Sequence, residues 1–72
     1  MTIKRDLTQV TEFDNVTAKH ETDLALLVDI DGEEHWVPKS QIHDDSEIYE
    51  KGHTGQLITT RWWAKKVGLV DD

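Results

Sequence analysis

The sequence predicts a mainly β domain with one C-terminal helix, either a small barrel or a strongly twisted antiparallel sheet of about five strands. Three observations carry this. The stretch Leu24 to Ile42, LALLVDIDGEEHWVPKSQI, is an alternating apolar run that meets Asp31-Gly32 and returns through His35-Trp36-Val37 to Pro38. Short alternating segments recur on both sides of it, separated by Asp-Asn, His-Asp-Asp and Gly-containing turns. The last apolar segment, TRWWAKKVGL, changes to helical spacing and ends at Gly68.

In chain order, residues 1–12 read as a partly ordered arm. Ile3, Leu7 and Val10 have near-helical spacing, while Thr2, Thr8 and Thr11 oppose a helix. A single domain then spans 13–70. Asp14-Asn15 reads as a turn, and Val16 to His20 as a first strand with Val16, Ala18 and His20 on one side. Glu21-Thr22-Asp23 leads, as a turn or a bulge, into the main strand, whose buried side carries Leu24, Leu26, Val28 and Ile30. Asp31-Gly32 is a hairpin signal because glycine takes positive φ without steric cost and aspartate tolerates it. A two-residue loop sets Trp36 opposite Leu27, and a three-residue loop sets it opposite Val28. The second is preferred, since it buries the indole on the better apolar face.

Pro38 ends the return strand or confines it to an edge. Lys39 to Gln41 then makes a tight turn with Ile42 pointing inward. After the polar turn His43-Asp44-Asp45, Ser46 to Glu50 alternates with Ile48 inward, Lys51 to Gly55 forms a hairpin loop, and Gln56 to Thr59 returns as a strand. Thr60 caps a helix over about 60–67, with Gly68 at its left-handed C-terminal position. Trp63, Ala64 and Val67 make its apolar arc, leaving Trp62 beside Lys65 and Lys66. Asp71-Asp72 is a tail.

At 72 residues with no cysteine, the chain has neither disulfides nor cysteine-ligated zinc. A domain of this size has a thin core, in which each large residue counts. The start, MTIKRDLTQ, has no apolar run of the signal-peptide kind, and Leu24 to Val28 is too short to span a bilayer. A reducing, cytoplasmic setting is expected. The net charge is −7, unevenly placed. Residues 21–50 hold ten acids against Lys39 alone, a net of −9, while residues 51–72 hold four cations against two acids, a net of +2. A duplex-DNA binder would have the opposite balance, because phosphate neutralisation supplies most of its affinity. The acidic block solvates the surface or faces a basic partner.

No constellation points to catalysis. His43-Asp44-Asp45-Ser46-Glu47 has metal-ligating residue types, but neither the spacing of a zinc site nor the glycine and terminal acid of a calcium loop. Ser40 lacks a glycine-framed elbow. Adjacent acids such as Glu33-Glu34 are not opposed as acid–base pairs require, and Gly52 and Gly55 are hairpin glycines, not a phosphate loop. The expectation is a non-enzyme without metal or cofactor. Trp62 with Arg61, Lys65 and Lys66 can stack on and clamp a single strand, or anchor a protein as a hot spot. The bland alternative lays Trp62 in the groove between helix and sheet, with the lysines solvating its rim.

The segments WVPKSQI, DDSEIYEKG and LITTRWWAKKVGL resemble small, uncharacterised proteins of bacteriophages and prophages. The likeness runs from about Val16 to Leu69 and includes a tryptophan at the position of Trp62. It implies a phage or mobile-element origin and action in the cytoplasm of a bacterial host, and brings no biochemical activity. The Trp36-Val37-Pro38-Lys39-Ser40 segment after the hairpin also resembles the end of an SH3-like barrel, where a strand runs into a one-turn 3₁₀ segment. The expected function is a non-catalytic interaction protein, an inhibitor or an adaptor, that binds a host or phage protein. Its partner-binding residues are expected among Asp44, Asp45, Glu47, Trp36, Trp62, Lys65 and Lys66, with the acidic 21–50 surface a candidate DNA mimic. The alternative is a nucleic-acid-binding accessory module of phage replication or recombination that uses the basic C-terminal helix. A homodimer joined at sheet edges is a common arrangement for so small a sheet.

Overall fold

A computed structural model describes residues 4–6 and 9–70, with side chains described from Gln9 onwards. The expected class is found: a mainly β chain with one C-terminal helix. Among the described residues, five antiparallel strands form one sheet: β1 (Lys4–Asp6), β2 (Val10–Glu21), β3 (Ala25–Ile30), β4 (Glu33–Pro38) and β5 (Thr54–Thr60). A 3₁₀ turn, Lys39–Gln41, follows β4, and helix α1 (Arg61–Lys66) follows β5 directly.

The long strand β2 organises the sheet. One of its edges takes β1 and then β3, and the other takes β5, so that Phe13 lies opposite both Lys4 and Leu57. Val10 to Glu12 therefore belong to a central strand, and residues 4–6 pair with it. The expected arm of 1–12 is sheet over its described part, because Thr11 and its neighbours favour extended backbone. Residues 1–3, 7–8 and the 71–72 tail lie outside the described residues.

Asp14-Asn15 is a bulge and not a turn. Asn15 has φ of +59°, and the register against β5 shifts between Phe13 and Val16. One extra residue re-phases the strand, so Phe13 and Val16 both point into the core although they are three apart. A second shift falls between Ala18 and His20. It leaves Ala18 buried and His20 exposed, contrary to the expected single face.

The Asp31-Gly32 loop has two residues, with φ of +55° and +88°, and Leu27 lies opposite Trp36. The preferred three-residue loop is thus overturned, and Trp36 stands on the outer face, 51% exposed. Two positive φ values match the right-handed strand twist. Asp29 Oδ1 adds a bond by accepting from the Gly32 N–H at 2.9 Å. This register keeps Val37 fully buried opposite Leu26, whereas a one-residue slip would turn it outward. Leu24, expected inside, is 80% exposed. It lies in a turn where the Ala25 N–H donates to Thr22 Oγ1 and the Thr22 N–H to the Ala25 carbonyl.

Residues 46–50 form no strand. Instead, the segment after the 3₁₀ turn covers the outer edge of β5. Ile42 bridges to Thr59, the His43 N–H donates to the Ile58 carbonyl, and the Glu47 N–H donates to that of Gln56. Ile48 is buried as expected.

Helix α1 begins at its expected cap, Thr60 Oγ1 accepting from the Trp63 N–H at 3.2 Å. At its end the Gly68 N–H reaches the Lys65 carbonyl and the Leu69 N–H reaches that of Ala64, a paired C-terminal closure. Trp63 and Ala64 enter the core with Phe13, Leu26, Val28, Leu57 and Ile48. Val67, expected in the apolar arc, is partly exposed as the C-cap residue. Six residues are too few for an isolated helix, so the burial of Trp63 holds it.

Candidate functional site

The residues singled out from the sequence fall on three elements. The first is α1. Its start is tied to β2's approach by the Arg61 N–H, which donates to the Gln9 carbonyl at 2.9 Å. Beside this junction an open groove of about 620 Å³ is lined by Gln9, Thr60, Arg61, Trp62, Lys65 and Lys66. Because Trp63 must fill the core, its neighbour Trp62 faces outward, 61% exposed. Lys66 Nζ sits 5.0 Å from the centre of the Trp62 ring, a cation–π contact. Three cations and one indole thus share a groove, as their sequence proximity suggested. Chemically, the arrangement offers an exposed indole with the Lys66 ammonium over its ring and Arg61 and Lys65 beside it.

The second element is the β3–β4 hairpin. On its outer face Ala25 lies opposite Pro38, Leu27 opposite Trp36, and Asp29 opposite Glu34. The face is apolar at the Pro38 end and charged toward the tip. Lys19, from β2, comes within 3.5 Å of Asp29 and 3.6 Å of Glu34. Counting Asp29, Asp31, Glu33 and Glu34 against Lys19, this end carries four acids and one cation.

The third is the segment over β5, which holds Asp44, Asp45 and Glu47. Asp44 joins Lys39, Ile42, His43, Ser46 and Tyr49 around a smaller hollow of about 300 Å³. Asp45 uses its backbone N–H to donate to His43 Nδ1 at 3.1 Å. The same nitrogen stands 3.7 Å from Asp45 Oδ2. Glu47 is engaged with the fold, its Oε1 accepting from the Gln56 N–H at 2.7 Å. Among the described residues no three His, Asp or Glu side chains converge as a metal-binding group.

Sequence reading missed several determinants. Glu21 receives Lys39 Nζ at 2.6 Å and the Lys51 N–H at 3.2 Å, joining the end of β2 to the 3₁₀ turn and to the turn before β5. The Lys39 ammonium first, and the Lys51 N–H second, hold the Glu21 carboxyl below its ordinary range. Ser46 is buried between acids, and its hydroxyl accepts from both the Ile48 and the Ile58 N–H at 3.1 Å. Neither link has a local sequence signal, since the partners are 18 and 12 residues away.

No helix among the described residues is long and apolar enough to cross a membrane. No protein-family model, curated protein or solved structure matches this chain.

Proposed function

We propose that this chain is a non-catalytic interaction protein, of phage type and acting in the bacterial cytoplasm, that binds a host or phage protein as an inhibitor or adaptor. The observation that carries this reading is the outer face of the β3–β4 hairpin. There a half-exposed tryptophan and Leu27 adjoin a tip with an excess of carboxylates. Exposed indoles are favoured anchors of protein interfaces, and a charged rim steers and selects the partner. The path from β4 through Pro38 and a 3₁₀ turn to the edge of β5 supports an SH3-like type of sheet. A fold type does not fix function, so the reading rests on the surface.

Capture from bacterial lysate on the tagged chain, with and without nuclease, tests it. A protein that survives nuclease, elutes with salt and is lost with Trp36→Ala is the expected result. Retention by Trp36→Ala sinks the hairpin as the anchor.

A second reading, a single-strand-binding module, is supported by the Arg61, Trp62, Lys65 and Lys66 groove. It requires a labelled oligonucleotide to shift at low salt and to lose that shift with Trp62→Ala. An unshifted oligonucleotide rules it out.

A further inference from the structure

The pairing pattern of β4 leaves half of its backbone facing away from the sheet. In a hairpin with a two-residue loop, the flanking residues Ile30 and Glu33 exchange hydrogen bonds, and bonded pairs then alternate with unbonded ones. Val28↔His35 and Leu26↔Val37 are bonded pairs, while Asp29↔Glu34 and Leu27↔Trp36 are not. The Lys39 N–H, donating to the Leu24 carbonyl at 2.8 Å, continues the same alternation. The N–H and C=O groups of Glu34 and Trp36 therefore point outward from a strand that ends the sheet, with no neighbour beyond it among the described residues. Pro38, next in this series, sits where its missing N–H would also point outward, which closes the edge at that end.

We infer that the β4 edge takes up an extended, basic segment of a protein partner as an added strand. Glu34 and Trp36 would supply four backbone hydrogen-bonding groups, the basis of affinity in strand addition. Their side chains, two residues apart, lie on the same outer face. A bound strand therefore sets a cationic side chain beside Glu34 and, two residues along, an apolar one beside Trp36. The hairpin end's four acids, Asp29, Asp31, Glu33 and Glu34, face Lys19 as its one cation, through Asp29 and Glu34, and with the overall −7 charge they favour such a cationic occupant. The same charge disfavours a second copy, since each chain brings −7 to the contact.

This inference rests on the protein-binding reading above, and the test separates them. The probes are a capped peptide repeating lysine-threonine-valine-threonine and its counterpart with glutamate for lysine. They are added at low salt to the full chain labelled for amide hydrogen exchange. The lysine peptide is expected to slow exchange at the Glu34 and Trp36 amides about tenfold or more, and the glutamate peptide to leave them unchanged. Compared with Trp36→Ala, which lacks the indole but keeps the donor, Trp36→Pro deletes one outward donor and should weaken binding about tenfold further, the equivalent of one hydrogen bond. Should that variant unfold, Glu34→Lys keeps the backbone and is expected to exchange the preference toward the glutamate peptide. Lysine-peptide binding with protection confined to another surface overturns strand addition and leaves the protein-binding reading in place. No binding at low salt overturns it as well, and lysate capture then decides the broader reading alone. Protection of both amides in the free chain together with a dimer in sedimentation overturns it in favour of a second copy.

Discussion

Gly55 and Glu47 are fitted to one another: a Cβ on Gly55 would stand 2.6 Å from Glu47 Oε1, the atom that accepts from the Gln56 N–H. Gly55 has φ of +153°, a region that side chains rarely adopt. Gly55→Ala therefore combines backbone strain with displacement of the carboxylate that pins the segment over β5. A loss of about 1–3 kcal/mol is expected in urea unfolding. Glu47→Gln, which keeps an acceptor oxygen, should lose less than half as much.

Ser46 gives a sharper case. Its buried hydroxyl accepts from two backbone N–H groups and donates to the Ile48 carbonyl at 3.0 Å. Ser46→Ala leaves those donors buried and unpaired, at a cost of about 1–3 kcal/mol each before relaxation. Urea midpoints should fall clearly, and the Ile58 amide should exchange faster. An unchanged midpoint would show that water replaces the hydroxyl.

The Glu21 contacts fix a pH dependence. Its carboxyl titrates below the ordinary value, held by Lys39 and by the Lys51 N–H. A depressed folded-state pKa means that the contribution is present above the unfolded value near 4.5 and is lost as pH falls through the folded value. Glu21→Gln should thus be less stable than the parent at pH 7. The two should converge well below the ordinary carboxylate range. A difference that persists in acid would assign the effect to packing.

The hairpin, the Thr60 cap and the Gly68 closure were legible because each depends on neighbours in sequence, whereas Ile48 is buried without the strand that predicted it. The loop length was not. Burial of Trp36 favours the longer loop, but the same slip would expose Val37, whose partner Leu26 lies in the core. The bulge at Asn15 was also misread, because a residue in the left-handed region gives the same local signal in a turn and in a bulge. Of the surface residues, the Arg61 to Lys66 cluster could be grouped because one helix carries it. The exposed edge of β4 depended on strand order, which local sequence does not encode.

The three tryptophans should separate cleanly by stability. Trp63 is buried at 2% exposure among residues from β2, β3, β4 and β5. Trp63→Ala should cost about 3–5 kcal/mol and, for so small a domain, unfold it near room temperature. Trp62→Ala and Trp36→Ala remove half-exposed rings and should each cost under about 1 kcal/mol. Circular dichroism melts of the three variants check this ordering.

His35 sets the last expectation. It lies opposite Val28, on the inward side of β4, with its ring edge-on to Trp63 at a centroid distance of 6.3 Å. Its Nε2 is buried without a hydrogen-bond partner. An unpaired buried polar atom costs about 1–3 kcal/mol, and replacing it by an apolar group of similar shape recovers part of that. His35→Leu should therefore raise stability by about 1 kcal/mol and keep the Leu27–Trp36 register, since the backbone bonds at Val28 are unchanged. A variant that melts lower would show that the ring contact with Trp63 outweighs the unpaired nitrogen. The His35 imidazole would then count as part of the helix's seat on the sheet.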